Sequence, residues 1–440
     1  MTDNQNAAAT CLDETQFDVM VIGAGIAGAE SALKLGDMGY KVLLVEKEPS
    51  IGGKMILLSK VFPTLDCAAC ITTPKVSETA RHPNITIHTL TEVETIQRNS
   101  DRHFSVQLNK KPRYVVEKDC TGCQECENVC PVITKDQFQF NLTARKAVYI
   151  PFNIANPRIA LIDIENCMLC GACEKACPSN CIDFTQKEQQ LQITAKSVIV
   201  ATGFKLFDPI SIERYGYGRY KNVITSMQME RELAPTRPFN NVLRPSDGKI
   251  PDKIAYVFCT GSRDHTVGNP ICSQVCCMYS TKQAQLLMGA LPMADISLYY
   301  INIRAFGKGY NEFYLQAKDM GANYVKGKIG KITEKENGNL ILRFEDILTG
   351  KVTEKEHDMV VLSVGLLANP AITKVFKGEK LELDPINYVQ QPNMLQSPAQ
   401  TSLEGVFVAG TATGPMDIPD TIMSAGAAAT ETSSYLKRLS

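Results

Sequence analysis

The chain of 440 residues contains no tryptophan and only five histidines. Its net charge is close to zero, since it has 46 Lys and Arg against 47 Asp and Glu. Balanced charge argues against a nucleic-acid partner, which normally selects a basic excess. Residues 1–15 lack the basic and apolar regions of a signal peptide. No apolar run reaches the roughly 18 residues of a membrane span. We therefore expect a cytoplasmic protein with no membrane span of its own, a membrane-associated partner being left open.

Cysteine, in contrast, is abundant, with 16 in the chain. Thiols in the cytosol are kept reduced, so this number predicts metal or redox chemistry and not a disulfide framework. Hydrophobic residues make up 44% of the chain, which suffices for a sizeable core. The length is about three times that of a typical domain, so two or three domains are expected.

A dinucleotide-binding unit is predicted near the N-terminus. Residues 17–22 and 41–46 have the apolar runs of strands, and residues 29–39 are helical in pattern. Between them lies Gly23-Ala24-Gly25-Ile26-Ala27-Gly28, whose glycines allow a tight turn, approach of a pyrophosphate and close helix packing. Glu46 ends the second strand, where a carboxylate accepts hydrogen bonds from ribose hydroxyls. A purely structural glycine turn is the alternative.

Three further segments resemble the flavoproteins with two dinucleotide-binding domains, namely Gly52-Gly53, Ala201-Thr202-Gly203 and Val408-Ala409-Gly410. The resemblance implies FAD. That family usually has Gly-Asp at the last strand, whereas this chain has Gly410-Thr411, so contacts from 411 onward stay open. The residues expected to bind FAD are Gly23, Gly25, Ala27, Gly28, Glu46, Lys47, Gly53, Lys54, Met55, Ala201, Thr202, Gly203, Gly410, Thr411, Ile418 and Asp420.

Eight cysteines between 120 and 177 form two C-x2-C-x2-C-x3-C-P motifs. This is the bacterial two-cluster ferredoxin pattern, in which the fourth cysteine of each motif binds the other cluster. One [4Fe–4S] cluster is thus assigned to Cys120, Cys123, Cys126 and Cys177, and the second to Cys130, Cys167, Cys170 and Cys173. Zinc is the alternative. Cys181 lies outside the pattern and is interpreted as a plain buried thiol, and Cys11 as incidental.

A second α/β unit lacks a glycine fingerprint at the place where a nicotinamide cofactor would bind. Four cysteines occur there instead, spaced C-x12-C-x3-C-C: Cys259, Cys272, Cys276 and Cys277. Four thiols are a complete ligand set, so we predict a third [4Fe–4S] cluster. Buried free thiols are the alternative.

Cys67 and Cys70 form a C-x2-C pair in the region where disulfide reductases of this superfamily carry a redox pair against the flavin. A catalytic dithiol is one interpretation, and packing or a partner contact is the other, because the spacing alone does not fix redox activity.

The combination of the FAD-type glycine motif, the inserted two-cluster ferredoxin and the C-x12-C-x3-C-C motif resembles the family of A-type subunits of heterodisulfide reductase. The resemblance covers residues 17–432. The supporting stretches include Gly52-Gly53-Lys54-Met55, Phe62-Pro63-Thr64, Arg81-His82-Pro83-Asn84-Ile85, Arg304-Ala305-Phe306-Gly307-Lys308-Gly309-Tyr310 and Asp417-Ile418-Pro419-Asp420-Thr421. Longer members also have an N-terminal domain and a C-terminal ferredoxin domain, so the resemblance implies a short form.

The resemblance implies an oxidoreductase component that serves as a flavin hub and exchanges electron pairs with one-electron clusters, in some members by electron bifurcation. It also implies B- and C-type partner subunits, an electron-input module of the hydrogenase, formate or NADH dehydrogenase type, ferredoxin as a further partner, and a homodimer. Lys282 is our candidate for a cationic catalytic group near flavin N5; a solvated helix lysine is the alternative.

Two other functions stay open. A stand-alone NAD(P)H-dependent flavin disulfide oxidoreductase, or a protein similar to the glutamate synthase small subunit, would be reduced directly by nicotinamide nucleotides. A non-catalytic cluster scaffold would carry an FAD that is not reducible at physiological potential.

The predicted fold is an α/β flavoprotein similar to thioredoxin and glutathione reductase, with an inserted α+β ferredoxin domain. We expect a second unit with strands at 253–258, 295–303 and 359–365, helices at 274–290 and 310–320, and hairpin material near 338–344. Residues 209–251 are predicted to be a connector. The expected domain limits are 1–16 (tail), 17–115, 189–250 and 369–440 (FAD domain), 116–188 (ferredoxin insert) and 251–368 (second unit).

Overall fold

Two large mixed sheets and a cysteine-rich insert within the first of them make up the residues 15–439 that the computed structural model describes. The strands are β1 (Gln16–Ile22), β2 (Val42–Val45), β3 (Ile85–His88), β4 (Thr91–Arg98), β5 (Phe104–Lys110), β6 (Ile133–Lys135), β7 (Ala144–Lys146), β8 (Val148–Tyr149), β9 (Leu161–Ile162), β10 (Gln189–Val200), β11 (Lys205–Leu206), β12 (Val223–Thr225), β13 (Lys253–Thr260), β14 (Asp295–Tyr300), β15 (Asn323–Glu334), β16 (Leu340–Asp346), β17 (Lys351–His357), β18 (Met359–Val364), β19 (Leu366–Leu367), β20 (Phe376–Lys377) and β21 (Val406–Val408).

Eight α-helices accompany these strands within the described residues. They are α1 (Ile26–Asp37), α2 (Ala68–Arg81), α3 (Glu125–Asn128), α4 (Ala172–Ala176), α5 (Ser226–Leu233), α6 (Cys276–Ala290), α7 (Tyr310–Asp319) and α8 (Ile418–Leu439). Between residues 15 and 439, no helix combines the length and apolarity that crossing a membrane requires.

The first sheet has the order β20-β4-β5-β10-β1-β2-β3, and β21 pairs with the end of β10. Strands β21, β10, β1, β2 and β3 run parallel. Their apolar runs, such as the four buried residues of β2, are typical of parallel strands covered on both faces. The glycine motif follows β1, so it lies at the carboxyl edge of this sheet, where open α/β sheets bind ligands.

The ferredoxin insert leaves the first sheet after β5 and returns at β10. Because β5 and β10 are antiparallel neighbours in which Lys110 pairs with Gln189, the insert starts and ends at one point of the sheet. It consists of α3, α4 and the ribbons β6–β7 and β8–β9. Its core is built largely of cysteines and small apolar side chains.

The second sheet has the order β12-β18-β13-β14-β15-β16-β17, parallel from β12 to β15 and antiparallel from β15 to β17. The hairpin material expected near 338–344 consists of the end of the turn between β15 and β16 and the first residues of β16. Strand β13 ends at the predicted cysteine site, and α6 starts there. The predicted α/β fold with two nucleotide-type domains and a ferredoxin insert is confirmed.

The segment 209–251 is not only a connector, contrary to expectation. It contains β12, which joins the second sheet through β18, and α5, which packs beside α6. A three-residue strand is too short to show a periodic pattern. Helix α5 carries Glu230, Arg231 and Glu232 in succession, a run that normally indicates a solvated surface, yet all three are at most 2% exposed.

Candidate functional site

A cavity of about 1240 Å³ lies at the carboxyl edge of the first sheet. Its wall is formed by the glycine turn after β1, by the ferredoxin insert and by helices α5 and α6. The three parts of the chain that were predicted to carry redox chemistry therefore meet around one space.

The glycines shape the floor of this cavity by letting backbones approach closely. A Cβ at Gly28 would lie 1.8 Å from the carbonyl oxygen of Gly23, and a Cβ at Gly53 would lie 2.7 Å from Cα of Gly25. Gly53 also has a φ of +57°, which few other residues adopt. Helix α1 starts at Ile26 with no side chain capping its N-terminus. Its first N–H groups are thus available to an anion such as a pyrophosphate.

Glu46 reaches the cavity from the end of β2 and is 6% exposed. Its carboxylate accepts hydrogen bonds from the backbone N–H groups of Ala24, at 2.7 Å, and Glu48, at 3.0 Å. Burial raises the pKa of Glu46, and these two donors oppose the rise. The carboxylate is thereby fixed beside the glycine turn with lone pairs left for ribose hydroxyls.

Most of the residues predicted to bind FAD line this cavity: Gly23, Gly25, Ala27, Glu46, Lys47, Gly53, Lys54, Met55, Ala201, Thr202, Gly203, Thr411 and Ile418. Gly28, Gly410 and Asp420 do not line it. Gly28 packs on Gly23, and Gly410 lies where a Cβ would approach Ala27 to 2.7 Å, so both shape the wall from behind. Asp417 faces the cavity instead of Asp420 and caps α8 by accepting the N–H of Asp420 at 2.9 Å.

The ferredoxin insert closes one side of the cavity with aromatic side chains, namely Phe138, Phe140, Tyr149 and Phe152. Phe138 stacks on Phe152 with 4.8 Å between ring centroids, and the Arg231 guanidinium lies 4.5 Å from the Phe138 ring. Sequence reasoning missed this contact, because nothing in the cysteine pattern indicates which face of the insert meets the flavoprotein domain.

The insert is held in this position by buried hydrogen bonds to the first domain. Arg113, which lies just before the insert and is 2% exposed, donates to the carbonyl oxygen of Pro49, at 2.6 Å, and to Thr89 Oγ1, at 2.7 Å, and its own carbonyl oxygen accepts the N–H of Ile162 in the insert at 3.1 Å. The Ile51 N–H donates to the carbonyl oxygen of Asn156 at 2.9 Å. Such polar contacts fix one orientation of the insert relative to the cavity.

Lys282 lines the cavity from α6 and forms an ion pair with Glu230 of α5, with 2.5 Å between Nζ and Oε1. Its Nζ also donates to the carbonyl oxygen of Lys60 at 2.9 Å. Glu230 accepts further hydrogen bonds from the Ser59 N–H at 2.7 Å and from Gln283 Nε2 at 2.6 Å. This pair joins α5, α6 and the segment after Gly53 at the cavity wall.

The alternative interpretation of Lys282 as a solvated lysine is wrong, because the residue is 1% exposed. Burial raises the pKa of Glu230, but the Lys282 ammonium and the Ser59 donors outweigh burial and hold it below its ordinary value. Burial lowers the pKa of Lys282, and the Glu230 carboxylate opposes that shift. Glu230 was missed in the sequence because it falls in the presumed connector.

Two small cavities lie inside the ferredoxin insert, and each is lined by cysteines. Cys120, Cys123, Cys126, Cys177 and Cys181 line one of them. Cys130, Cys167, Cys170 and Cys173 line the other. The fourth cysteine of each motif thus lies with the first three of the other motif. The cysteines that line each cavity are thus the same four that were predicted to bind each cluster, except that Cys181 also lines the first cavity.

The four cysteines of the second domain converge at the end of β13 and the start of α6. Cys259 adopts a φ of +57°, and Cys276 and Cys277 are each 5% exposed. Burial raises the pKa of the Cys276 thiol, and the charges of Cys259, Cys277 and Cys272 raise it further, so these thiols lie near it. Burial raises the pKa of Cys277 to about 12, whereas coordination to a metal would hold the sulfur as a thiolate.

Tyr279 connects this thiol cluster with the main cavity. It lies one turn after Cys276 on α6 and lines the cavity together with Lys282. Its hydroxyl donates to the carbonyl oxygen of Val364 at 2.9 Å, and the Cys276 sulfur contacts the same oxygen at 4.0 Å. Tyr279 therefore contacts both the cavity and a backbone oxygen that the Cys276 sulfur also contacts.

Cys67 and Cys70 lie at the N-terminus of α2, and neither is among the described residues that line the cavity. The Cys70 N–H donates to the Cys67 sulfur at 3.2 Å. Cys70 is exposed. The structure thus separates this pair from the space expected to hold the flavin.

In residues 15–439, no group of three or more His, Cys, Asp or Glu side chains surrounds a position suited to a single metal ion. Family models match two regions of the chain: an FAD dependent oxidoreductase model matches residues 18–123, and a 4Fe-4S dicluster domain model matches residues 117–181. FAD and iron–sulfur clusters are thus confirmed as the cofactor types.

Curated relatives cover almost the whole chain. The A-type iron-sulfur subunit of the CoB--CoM heterodisulfide reductase from Methanocaldococcus jannaschii is 44% identical over 423 residues, which are 96% of this chain and 64% of the relative. The A-type subunit of the H(2)/formate:CoB-CoM heterodisulfide,ferredoxin reductase from Methanococcus maripaludis is 45% identical over 93% of this chain and 63% of its own length. The chain thus spans just under two thirds of these relatives.

Solved structures of thioredoxin reductases share the fold. The T. acidophilum enzyme matches with a TM-score of 0.56 and 15% identity, over 97% of this chain and 100% of its own. The Lactococcus lactis enzyme matches with a TM-score of 0.55 and 13% identity, over 96% of this chain and 99% of its own. At such identities the likeness concerns the fold alone.

Proposed function

Because this chain belongs to the family of A-type subunits of heterodisulfide reductase, we propose that it is the FAD- and iron–sulfur-containing electron-transfer subunit of a heterodisulfide reductase-like complex. As an oxidoreductase subunit it exchanges electron pairs at FAD with single electrons on [4Fe–4S] clusters. The observation that supports this proposal most directly is the cavity of about 1240 Å³, because the glycine turn, the insert and α6 all contribute to its wall.

The first domain supplies the binding of FAD. The Gly25–Gly53 approach admits a pyrophosphate to the N-terminus of α1, and Glu46 receives the ribose hydroxyls. Because side chains at these glycines would fill the space beside the turn, their absence leaves room for such a ligand. When bound, FAD supplies a centre that takes up two electrons and releases them singly.

Lys282 and Glu230 act on the flavin from the opposite wall. We place the Lys282 ammonium near flavin N5, where a positive charge stabilises an anionic reduced ring. Glu230 holds the ammonium in place through the 2.5 Å contact. Since the pair is buried, the dipole that its two charges form is only weakly screened.

The clusters are placed on two sides of this cavity. The insert carries one cluster on Cys120, Cys123, Cys126 and Cys177, and a second on Cys130, Cys167, Cys170 and Cys173. A third cluster on Cys259, Cys272, Cys276 and Cys277 lies behind Tyr279. Single electrons thus have a route on each side, which is the arrangement that electron bifurcation requires.

The names of the relatives suggest the partners. Some are described as heterodisulfide and ferredoxin reductases that use H2 or formate. We propose B- and C-type subunits, an electron-input module of the hydrogenase, formate or NADH dehydrogenase type, ferredoxin as an acceptor, and a homodimer of this chain. The Cys67–Cys70 pair, which lies outside the cavity, belongs to packing or a partner contact in this scheme.

Anaerobic titration of the purified full chain tests the proposal. We expect about twelve irons per FAD with the third cluster, or about eight without it. Neither NADH nor NADPH alone bleaches the flavin, because the turn after β13 has no glycine fingerprint. Rapid bleaching by either nucleotide would favour the stand-alone disulfide oxidoreductase instead.

A further inference from the structure

Cys181 is the fifth thiol in a cavity that needs four. It lines the first cluster cavity of the insert together with the four predicted ligands, and it is 3% exposed. The second cluster cavity is lined by four cysteines only. The two halves of the insert therefore differ by one thiol.

The Cys181 thiol interacts with two of the predicted ligands of the first cluster, Cys177 and Cys120. Its sulfur lies 3.3 Å from the sulfur of Cys177, and its backbone N–H donates to that sulfur at 3.4 Å. Its carbonyl oxygen accepts the Val116 N–H at 2.7 Å, which fixes the backbone. A separation of 3.3 Å is far longer than the roughly 2.05 Å of a disulfide, so the two sulfurs are in hydrogen-bond contact and not bonded.

The direction of this hydrogen bond follows from the ligand role of Cys177. A cysteine that binds iron does so as a thiolate, which has no proton to donate. Cys181 is left over once the four ligands are assigned, so it keeps its S–H. The Cys181 thiol is then the donor and the Cys177 sulfur the acceptor.

The corresponding position of the other half carries no thiol. Four residues after Cys130 comes Thr134, in β6, where Cys177 is followed at the same distance by Cys181. The sulfur of Cys130 contacts the carbonyl oxygen of Val132 at 3.8 Å. Within the described residues, the side-chain S–H donor is therefore a property of the first cluster alone.

Resting on the cluster assignment of the proposed function, we propose that Cys181 is a positioning residue that donates its S–H to the Cys177 ligand sulfur and makes the first cluster easier to reduce. Reduction adds negative charge to the cluster, and a hydrogen bond to a ligand sulfur offsets that charge. Cys181 itself binds no iron in this proposal.

The test compares the midpoint potentials of the two insert clusters by EPR-monitored redox titration of the full chain. In Cys181→Ala we expect all irons to be retained and the potential of one cluster to become more negative. Cys181→Ser should shift it less, because the hydroxyl can donate in place of the thiol. The matched control Thr134→Ala should shift neither cluster. Cys170→Ser, which perturbs the second cluster, identifies its signal.

Two results would overturn the proposal. Unchanged potentials in both Cys181 variants would show that the thiol has no influence on the cluster. Loss of about four irons in both variants would make Cys181 a ligand and not a donor. Failure of the underlying cluster assignment has a different signature, since the unmodified chain would then contain too little iron for two clusters.

Discussion

In the first domain the turn between β1 and α1 consists of residues 23–25, whereas in the second domain the turn between β13 and α6 runs from 261 to 275. Both turns lie at the carboxyl edge of a parallel sheet, and both lead into a helix N-terminus. The first turn contains glycines that admit a ligand to the helix. The second is framed by thiols, with Cys259 before it, Cys272 within it and Cys276 at the start of the helix.

Under the proposed cofactor assignment, one backbone arrangement would serve two kinds of anionic ligand. A helix N-terminus favours negative charge, whether it belongs to a pyrophosphate or to thiolates around iron. What differs is how the ligand is held. Under that assignment the first domain would use backbone N–H groups, so side chains must be absent. The second domain would use cysteine side chains, so its turn can be long.

The largest effect is expected at the glycine turn. In Gly28→Val, the new Cβ would lie 1.8 Å from the carbonyl oxygen of Gly23, so the strand and helix must separate. We expect at least about 100-fold weaker FAD binding with the iron content unchanged, since several kcal/mol of overpacking are involved. Flavin and iron analyses check this.

Gly289→Ala is the control for that variant, because a Cβ at Gly289 meets no atom within 4 Å. It should bind FAD normally. Full FAD content in Gly28→Val would contradict the glycine-cradle interpretation and remove the first half of the comparison.

The next effect concerns the second turn. In Cys276→Ser we expect the iron content to fall from about twelve to about eight per chain, with FAD retained. Cys67→Ser is the control and should keep all irons, because Cys67 lies at α2, away from the cysteine cavities. If the iron content of Cys276→Ser does not change, the four cysteines are buried free thiols and the two turns are not alternative ligand sites.

Sequence patterns predicted those parts of the site that are local in the chain. The Gly23–Gly28 motif, Glu46 and the two cysteine motifs each fall within a short stretch. Their residue spacing is characteristic of one local backbone geometry and is uncommon elsewhere, so it can be recognised in the sequence. The general fold followed from the same units. Most of the expected FAD residues accordingly line one cavity.

What could not be predicted depends on contacts between distant segments. Glu230 contacts Lys282, 52 positions away, and Ser59, 171 positions away. Three successive charged residues, as in α5, normally indicate a solvated surface, and here only tertiary packing buries them. The contact between Cys181 and Cys177 spans four residues, yet the ferredoxin pattern gave no reason to place a thiol there.

The two domains also stabilise buried carboxylates in different ways. The third expected effect is therefore a difference in the free energy of unfolding between variants of the two sites. Glu230 depends on one cation, so Lys282→Met leaves a buried charge without its partner and should destabilise the fold by about 3–5 kcal/mol. Glu46 depends on backbone N–H groups, and Glu46→Gln keeps one acceptor oxygen, so a loss of about 1 kcal/mol is expected. Urea unfolding measures both.

The double variant Glu230→Gln/Lys282→Met is the control for that experiment. It removes both charges and should recover a large part of the lost stability. If the double variant is no more stable than Lys282→Met, the cost comes from packing and not from the unpaired carboxylate.

The last effect is shared by the domains and tests where their similarity ends. His88 in the first sheet and His357 in the second are both buried, and burial lowers the pKa of each to about 4. The unfolded chain takes up these protons near pH 6.5, so stability falls as the pH drops below about 6.5 and levels off below about 4. Between pH 7 and 5 each histidine should cost about 2 kcal/mol.

Hydrogen–deuterium exchange at pH 7 and 5 separates the two contributions, because it reports on β3 and β17 individually. His88→Gln should remove the acid sensitivity of β3 only, and His357→Gln that of β17 only. His357 also contacts the Tyr299 hydroxyl through Nε2 at 2.9 Å, a bond that a glutamine amide can replace, so the variant isolates the protonation. If either variant protects both sheets, the domains unfold as one unit, and their different ligand sites are built on a single cooperative structure.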